Sequence, residues 1–554
     1  MHYPSNVEMG WMAKLIESCG AICSVNIEPV DNSELVESLD SRIRDASGLA
    51  KISKNESTKQ LREMEVKEAS DIINRMINNN EVVSYLTIYI YITAQEETEL
   101  NSRCKEVERE VQKLKLKIRP VTNFLLQSGF KAVAPFFTIQ EDLSKHFKRN
   151  ILTSTFSGGF LFNTNTFIDK EGYYLGINQN GGIVIFNMWQ KDSDRTNSNM
   201  VVTGSSGSGK SLAVKHIIYN EYPRSKILVI DPEDEYTYLA NNLNGKIIKC
   251  GGSNNGQILN PLQIRVTKDD EDKNEFTLHF QFLHTFFEIL FPSLNDMDFS
   301  ILDLALEQLY KKFNITRNTD ITKFQNTDFP ILEDLYSFLE EKQNAEHNKK
   351  YEKLISLLRP IAIGQASCIW NGYTNVKVDT KLTVFNTKDM QEFQIQYKRA
   401  QYYNIMSYAW EHLSKNKEEK SILIADECHV LVDPNIPQTL EYVRNISKRA
   451  RKYNSSIIVI TQSIEDFLNE KIKLYGQTLL ANSTYKMFFK MDGQDLRDVV
   501  KTFGLSKKEE QLIFNSKRGE CLLNAGTRKI FATLKIPIEE LRLIDENFKN
   551  GVKR

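Results

Sequence analysis

The chain has 554 residues, too many for a single core, so its length points to two to four domains. It is 41% hydrophobic and 26% charged with a formal net charge of -1, the balance of a soluble globular protein, and nothing in the overall charge marks a nucleic-acid binder, although a local basic patch stays open. The seven cysteines are scattered and form no Cys-x-x-Cys pair, which argues against a zinc site or a disulfide framework and fits a reducing cytoplasm.

The first residues lack a basic stretch followed by an apolar core, so no secretory signal is expected, and the longest apolar runs are strand-length, too short to span a bilayer. Residues 1–150 read as an α+β domain. In it, residues 21–27 and 83–93 (VSYLTIYIYIT) suit strands, 32–78 are mainly helical, and 96–115 form a helix with a charged face. No chemical motif occurs there, and assembly or docking is the expected role. In residues 151–199 the glycines at 158, 159, 172, 176, 181 and 182 punctuate short strands such as 173–177 and 183–186, a β-rich entry to the next domain. From Met200 the order is strand (MVVT), glycine loop (GSSGSGKS), helix (LAVKHIIYNEY) and strand (KILVID), a βαβ unit that opens a parallel sheet. Residues from about 268 to 380 are richly helical, and strands resume at 382–386, 421–425, 457–461 and 485–489. The expected fold is α/β: a RecA-like P-loop ATPase domain over 200–554 with an all-α insertion, preceded by the α+β N-terminal domain.

Gly204, Ser205, Ser206, Gly207, Ser208, Gly209, Lys210 and Ser211 fit G-x-x-x-x-G-K-[ST]. Glycines let the backbone curl so that its N–H groups converge on phosphates, and the helix that follows, opening at Leu212, adds its positive end. Lys210 is expected to reach the β- and γ-phosphates of ATP, and the Ser211 hydroxyl to bind Mg²⁺. A Gly/Ser-rich turn could match by chance, but here the strand lies directly before it and an amphipathic helix directly after.

Hydrolysis also needs a carboxylate for the metal and a base for water. Asp426 and Glu427 follow the apolar run Ser421-Ile-Leu-Ile-Ala, with Asp426 expected on Mg²⁺ and Glu427 on the attacking water. Two solvated acids after a buried strand are the bland alternative, and the P-loop tips the balance. Gln462 ends another apolar strand, where ligands of parallel sheets bind, and reads as a γ-phosphate sensor over a simple turn residue. Arg444, Lys448 and Arg451 fall at i, i+4 and i+7 of a helix, on one face. That face is either ordinary and solvated, or a weak nucleic-acid contact, or the source of an arginine finger for a neighbouring subunit. Arg449 and Arg518 are further finger candidates.

These elements together resemble the conjugative-transfer ATPases of type IV secretion systems, the TraC/TraE-like family related to the HerA/FtsK translocases. The resemblance spans nearly the whole chain. Besides the P-loop it rests on Tyr3-Pro4, Gly10-Trp11, Gly172-Tyr-Tyr-Leu-Gly176, Asp231-Pro232-Glu-Asp-Glu235-Tyr236, Asn260-Pro261-Leu262, Trp370-Asn371-Gly372 and Ala450-Arg451-Lys452-Tyr453-Asn454 followed by Thr461-Gln462. It implies an ATP-hydrolysing motor at the cytoplasmic base of a secretion channel, peripheral to the inner face of the membrane and often hexameric, that energises substrate transfer or pilus assembly. Implied partners are inner-membrane channel components and a coupling protein, with direct DNA contact left open. A helicase is disfavoured by the helical insertion between Lys210 and Asp426. An ABC transporter ATPase is disfavoured because the only Ser-Gly-Gly in a strand-rich region, Ser157 to Gly159, precedes the P-loop. A DNA-pumping coupling protein and an ATP-binding scaffold remain the competing readings, the second opposed by Glu427.

Overall fold

The computed structural model describes residues 10–12, 21–52, 56–78, 81–113, 116, 118–135, 138–159, 166–252, 256–266, 275–347 and 349–549. Two compact units share the chain: residues 1–165 with 180–182, and residues 166–179 with 183–554.

In the first unit, strand β1 (Ile22–Pro29) leads to the charged helices α1 (Asn32–Ile52) and α2 (Glu56–Asn78), which pack on each other. Then come β2 (Val83–Tyr91), α3 (Glu97–Lys113), α4 (Leu126–Val133), α5 (Glu141–Phe147), β3 (Arg149–Leu152) and α6 (Thr153–Ser157). The strands form an antiparallel sheet in the order β1-β2-β3. Residues 151–159, assigned above to the motor entry, fold with this unit instead. Ile151 pairs with Ser84, and the buried Trp11 donates from Nε1 to the Thr155 carbonyl at 3.1 Å. The pattern of glycines had drawn the boundary too early. Gly10-Trp11 thus belongs to this core, whereas Tyr3-Pro4 lies outside the described residues.

The second unit opens with β4 (Phe167–Ile168), β5 (Tyr173–Asn178), β6 (Ile183–Phe186), β7 (Met200–Thr203), α7 (Lys210–Glu221), β8 (Lys226–Asp231), α8 (Thr237–Asn242) and β9 (Lys246–Lys249). A helical stretch follows: α9 (Glu275–Leu290), α10 (Asp296–Lys312), α11 (Leu332–Glu346), α12 (Glu352–Ala362) and α13 (Ser367–Trp370). The chain then returns to the sheet through β10 (Leu382–Asn386), α14 (Ile395–Ser414), β11 (Ser421–Ala425), α15 (Pro437–Ala450), β12 (Ser455–Thr461), α16 (Lys473–Asn482) and β13 (Tyr485–Phe488). It ends with α17 (Gly493–Phe503), α18 (Lys507–Asn515), the hairpin β14 (Glu520–Ala525) and β15 (Arg528–Leu534), α19 (Ile538–Ile544) and α20 (Glu546–Lys549).

The twelve strands form one sheet in the order β4-β6-β5-β15-β14-β13-β7-β12-β11-β8-β10-β9. From β13 to β9 every pairing is parallel. β7, β11 and β12 are buried at every position, as continuous apolar runs must be when both faces of a parallel sheet are covered. One face carries α7, α8 and α19 over a core that includes Val214, Ile217 and Leu239. The other carries the helical stretch, whose Phe282, Leu283, Phe286 and Phe287 join one continuous core with Leu228, Leu423 and Val459 of the strands. Several elements quoted for the family resemblance pin this stretch down. Asn260 Nδ2 donates to the Pro330 carbonyl at 2.9 Å, Trp370 Nε1 donates to Gln401 at 2.6 Å, and Asn371 Oδ1 accepts the Glu333 N–H at the start of α11.

Candidate nucleotide site

Strand adjacency assembles the site. β12 lies between β7 and β11, with Thr203 opposite Thr461 and Ala425 opposite Val459. The loop after β7, the acids after β11 and the glutamine after β12 therefore leave the same edge of the sheet side by side. Ligands of parallel sheets bind at this edge, beyond the carboxyl ends of the strands.

The loop from Gly204 to Gly209 turns into α7. Ser205, Ser206 and Gly207 form its exposed tip, whereas Gly204, Ser208 and Gly209 are buried. Gly209 caps α7 at φ 110°, a region costly for any side chain, and an added Cβ would stand 3.0 Å from the Gly519 nitrogen. The loop is braced from outside: the Ser205 N–H donates to the Lys490 carbonyl at 2.8 Å, and the Gly519 N–H donates to the Ser208 carbonyl at 3.0 Å. Its own Ser208 hydroxyl donates to the Ser205 carbonyl at 2.7 Å. Lys210, Ser211 and Leu212 are the first three residues of α7, so their N–H groups have no partner within the helix. The Leu212 side chain packs on the core, and only its backbone is suited to a ligand. Lys210 is 7% exposed and donates from Nζ to the Gly204 carbonyl at 2.5 Å and the Ser205 carbonyl at 3.1 Å. Burial pulls its ammonium below the usual lysine range, opposed by the charges of Glu427, Asp426 and Glu235.

Asp426 is buried. Burial pushes its carboxyl up to about 7, the like charges of Glu427 and Glu235 add to this, and the Glu427 N–H, donating to Oδ1 at 2.9 Å, opposes it. The Tyr402 hydroxyl fixes the backbone there by donating to the Asp426 carbonyl at 2.6 Å. In Glu427 burial also pushes upward, yet the neighbouring His429, Gln462 and Lys210 hold the carboxyl below the usual glutamate range. Gln462 Nε2 donates to Glu427 Oε1 at 2.7 Å. A buried carboxylate that repels its neighbours is what a bound cation relieves, and Asp426 and the Ser211 hydroxyl offer oxygen donors, the kind that Mg²⁺ takes. Asp231, next along the sheet edge on β8, is instead satisfied internally: its two oxygens accept the Glu235 and Tyr236 N–H groups, both at 3.0 Å.

The TraG P-loop domain family matches residues 181–535. The chain belongs to this family. Its members are the P-loop ATPases of conjugation and type IV secretion, so the resemblance drawn from the motifs and the RecA-like fold are both borne out. Among solved structures the chain is similar to VirB4 of Thermoanaerobacter pseudethanolicus, at 37% identity over 68% of this chain and 100% of that one, with a TM-score of 0.65. The bacterial conjugative coupling protein TrwB is a more distant likeness, 16% identical over 67% of this chain and 90% of that one, with a TM-score of 0.41. Over 98% of its length the chain is also 21% identical to an uncharacterized protein of Bacillus anthracis, covering 90% of that protein.

The arginines of this TraG-type chain separate. α15 ends at Ala450, and Arg451 opens a 3-10 turn closed by Asn454 at φ 51°, so the single helical face expected for Arg444, Lys448 and Arg451 stops at Lys448. Arg444 is held by Glu441 at 2.8 Å, by Asn445, and over the Tyr475 ring. Arg449 lines a groove between α15 and α9, away from the sheet edge that carries the P-loop. Arg451 is exposed, as is Arg518, which stands next to the Gly519 that braces its own P-loop. Two further groups at the site had no role assigned from the sequence. Glu235 acts electrostatically on both Lys210 and Asp426. His429 lies beside Glu427, and its only sequence signal was its place in Asp426-Glu427-Cys428-His429.

Proposed function

We propose that the chain hydrolyses ATP with Mg²⁺ and works as an assembled motor. The reading is carried by one observation: Lys210, Asp426, Glu427 and Gln462 converge at the carboxyl ends of β7, β11 and β12. Apart from that of Ser205, which the Lys490 carbonyl takes, the N–H groups from Gly204 to Leu212 would cradle the phosphates with Lys210. Ser211, and Asp426 through water, would hold Mg²⁺, which neutralises phosphate charge. Glu427 takes the proton of the attacking water, and Gln462 couples the state of the γ-phosphate to Glu427. Positive charge for the transition state comes from a neighbouring copy, through Arg451 or Arg518, the exposed two of the four candidate arginines. Family membership supports a hexamer on the cytoplasmic face of the membrane that energises substrate transfer or pilus assembly, with inner-membrane channel components and a coupling protein as partners. Among the described residues, no helix is long and apolar enough to cross a membrane.

The test is ATP turnover by the purified protein against its own concentration, with and without single- and double-stranded DNA. Specific activity that rises steeply with concentration and ignores DNA is the expected result. Strong DNA stimulation would instead make the chain a translocase. No turnover under any condition would leave an ATP-binding scaffold.

A further inference from the structure

Glu427 is gripped from two sides. Its backbone sits at φ 47°, a conformation that a non-glycine residue keeps only where its surroundings over-determine it. Gln462 holds Oε1 from the end of the neighbouring strand. On the other side His429 Nδ1 stands 3.0 Å from Oε2, close but off the line of a hydrogen bond, and these two buried atoms have no other partner. His429 is itself fixed. It lies in the 3-10 turn Cys428–Leu431, anchored by the buried Cys428 and Leu431, and the Val430 N–H donates to the Glu427 carbonyl at 3.0 Å. Glu427, His429 and Gln462 all open on one cavity of about 360 Å³ that also reaches Lys398 and Asp466.

The last torsion of a glutamate is soft and broad, so one contact leaves its carboxylate free to swivel. Two contacts, one on each oxygen, fix the plane. Without the second, Glu427 can turn towards Lys210, whose charge already acts on it. We infer that His429 is a positioning residue for hydrolysis: with Gln462 it sets the direction in which the Glu427 carboxylate meets water. The inference rests on the reading of Glu427 as the base.

Four full-length chains test it: His429→Ala, His429→Asn, Glu427→Gln and the His429→Ala/Glu427→Gln pair. Each is assayed for kcat and KM with MgATP and for affinity towards a fluorescent ATP analogue. His429→Ala should lower kcat between about ten- and a hundredfold, the scale on which a slightly misplaced reacting group loses rate, while KM and nucleotide affinity hold. His429→Asn, which keeps an N–H donor, should recover part of the loss. In the pair, His429→Ala should add nothing to the Glu427→Gln defect, because both act through one carboxylate. Unchanged kcat in His429→Ala, loss of nucleotide affinity in step with kcat, or multiplying defects in the pair would overturn the inference. Full turnover by Glu427→Gln alone would remove the base reading and the inference with it, an outcome distinct from any that fails at His429 only.

Discussion

The nucleotide edge of the sheet and the helical stretch packed against it bury polar groups in opposite ways. In the helical stretch a chain of buried groups closes on itself. His279 pairs with the Tyr310 hydroxyl at 2.7 Å, that hydroxyl donates to the Leu262 carbonyl at 2.5 Å, and Trp370 is joined through Gln401 to the Cys250 carbonyl. At the sheet edge like charges crowd together: Asp426, Glu427 and Glu235 around a single buried lysine. Burying Asp426 beside such charges is unfavourable, and perturbed groups of this kind collect where a ligand supplies what is missing. These groups of the helical stretch answer one another within the fold, whereas the acids at the sheet edge are placed to be answered by a ligand.

Four experiments break or sharpen that contrast. The largest effect is expected from Lys210→Ala, which should bring nucleotide binding and turnover to background. Full activity would mean that the acids at this edge do not serve a phosphate site. Arg451→Ala and Arg518→Ala come next, the finger variant losing about 10³-fold in turnover and regaining activity when mixed with Lys210→Ala chains. Absence of rescue for both would show that the edge is completed within one chain. Phe286→Ala, in the closed region, should lower unfolding stability by about 3–5 kcal/mol while the folded fraction keeps its nucleotide affinity. If affinity falls as well, the shared core couples the two regions more tightly than the contrast allows.

The smallest effect concerns pH. Burial, with the Arg265 charge adding, lowers His279 from 6.5 to about 3, and Tyr310 is the other titratable group against its ring. Its folded value lies below its unfolded one, so the stability from keeping it neutral is full above the unfolded value and drains away as pH falls towards the folded one. Melting temperatures measured between about pH 7 and about pH 5 should therefore fall less in His279→Gln than in the unaltered chain. Parallel curves would count against this assignment.

How far the sequence could be read follows from the range of the interactions. The P-loop unit was legible because strand, glycine turn and helix are neighbours in sequence. The acids and Gln462 were legible because each ends an apolar run, and in a parallel sheet such ends gather on one side. Bracing of the loop by Lys490 and Gly519 was not, because these residues follow β13 and precede β14, far along the chain, and have no motif of their own. The position of Arg451 was misjudged because periodicity does not reveal where a helix tightens into a 3-10 turn. His429 went unassigned because its meaning depends on the direction of the Glu427 side chain, which a left-handed backbone sets. Residues 151–159 were placed in the wrong unit because pairing with β2 and a tryptophan near the N-terminus hold them there, contacts without local trace.

The two backbone braces on the loop have a further consequence. A free glycine-rich turn samples many shapes, and a phosphate that selects one of them must oppose that disorder. Here the loop is clasped between the segment after β13 and the turn before β14, so most of its ordering belongs to folding and not to capture. Nucleotide arrival then demands little more than the swing of one lysine away from two carbonyls. The same clasp makes the hairpin β14–β15 a lever on the loop: whatever displaces Gly519 loosens the grip on the phosphates without touching a single residue of the motif.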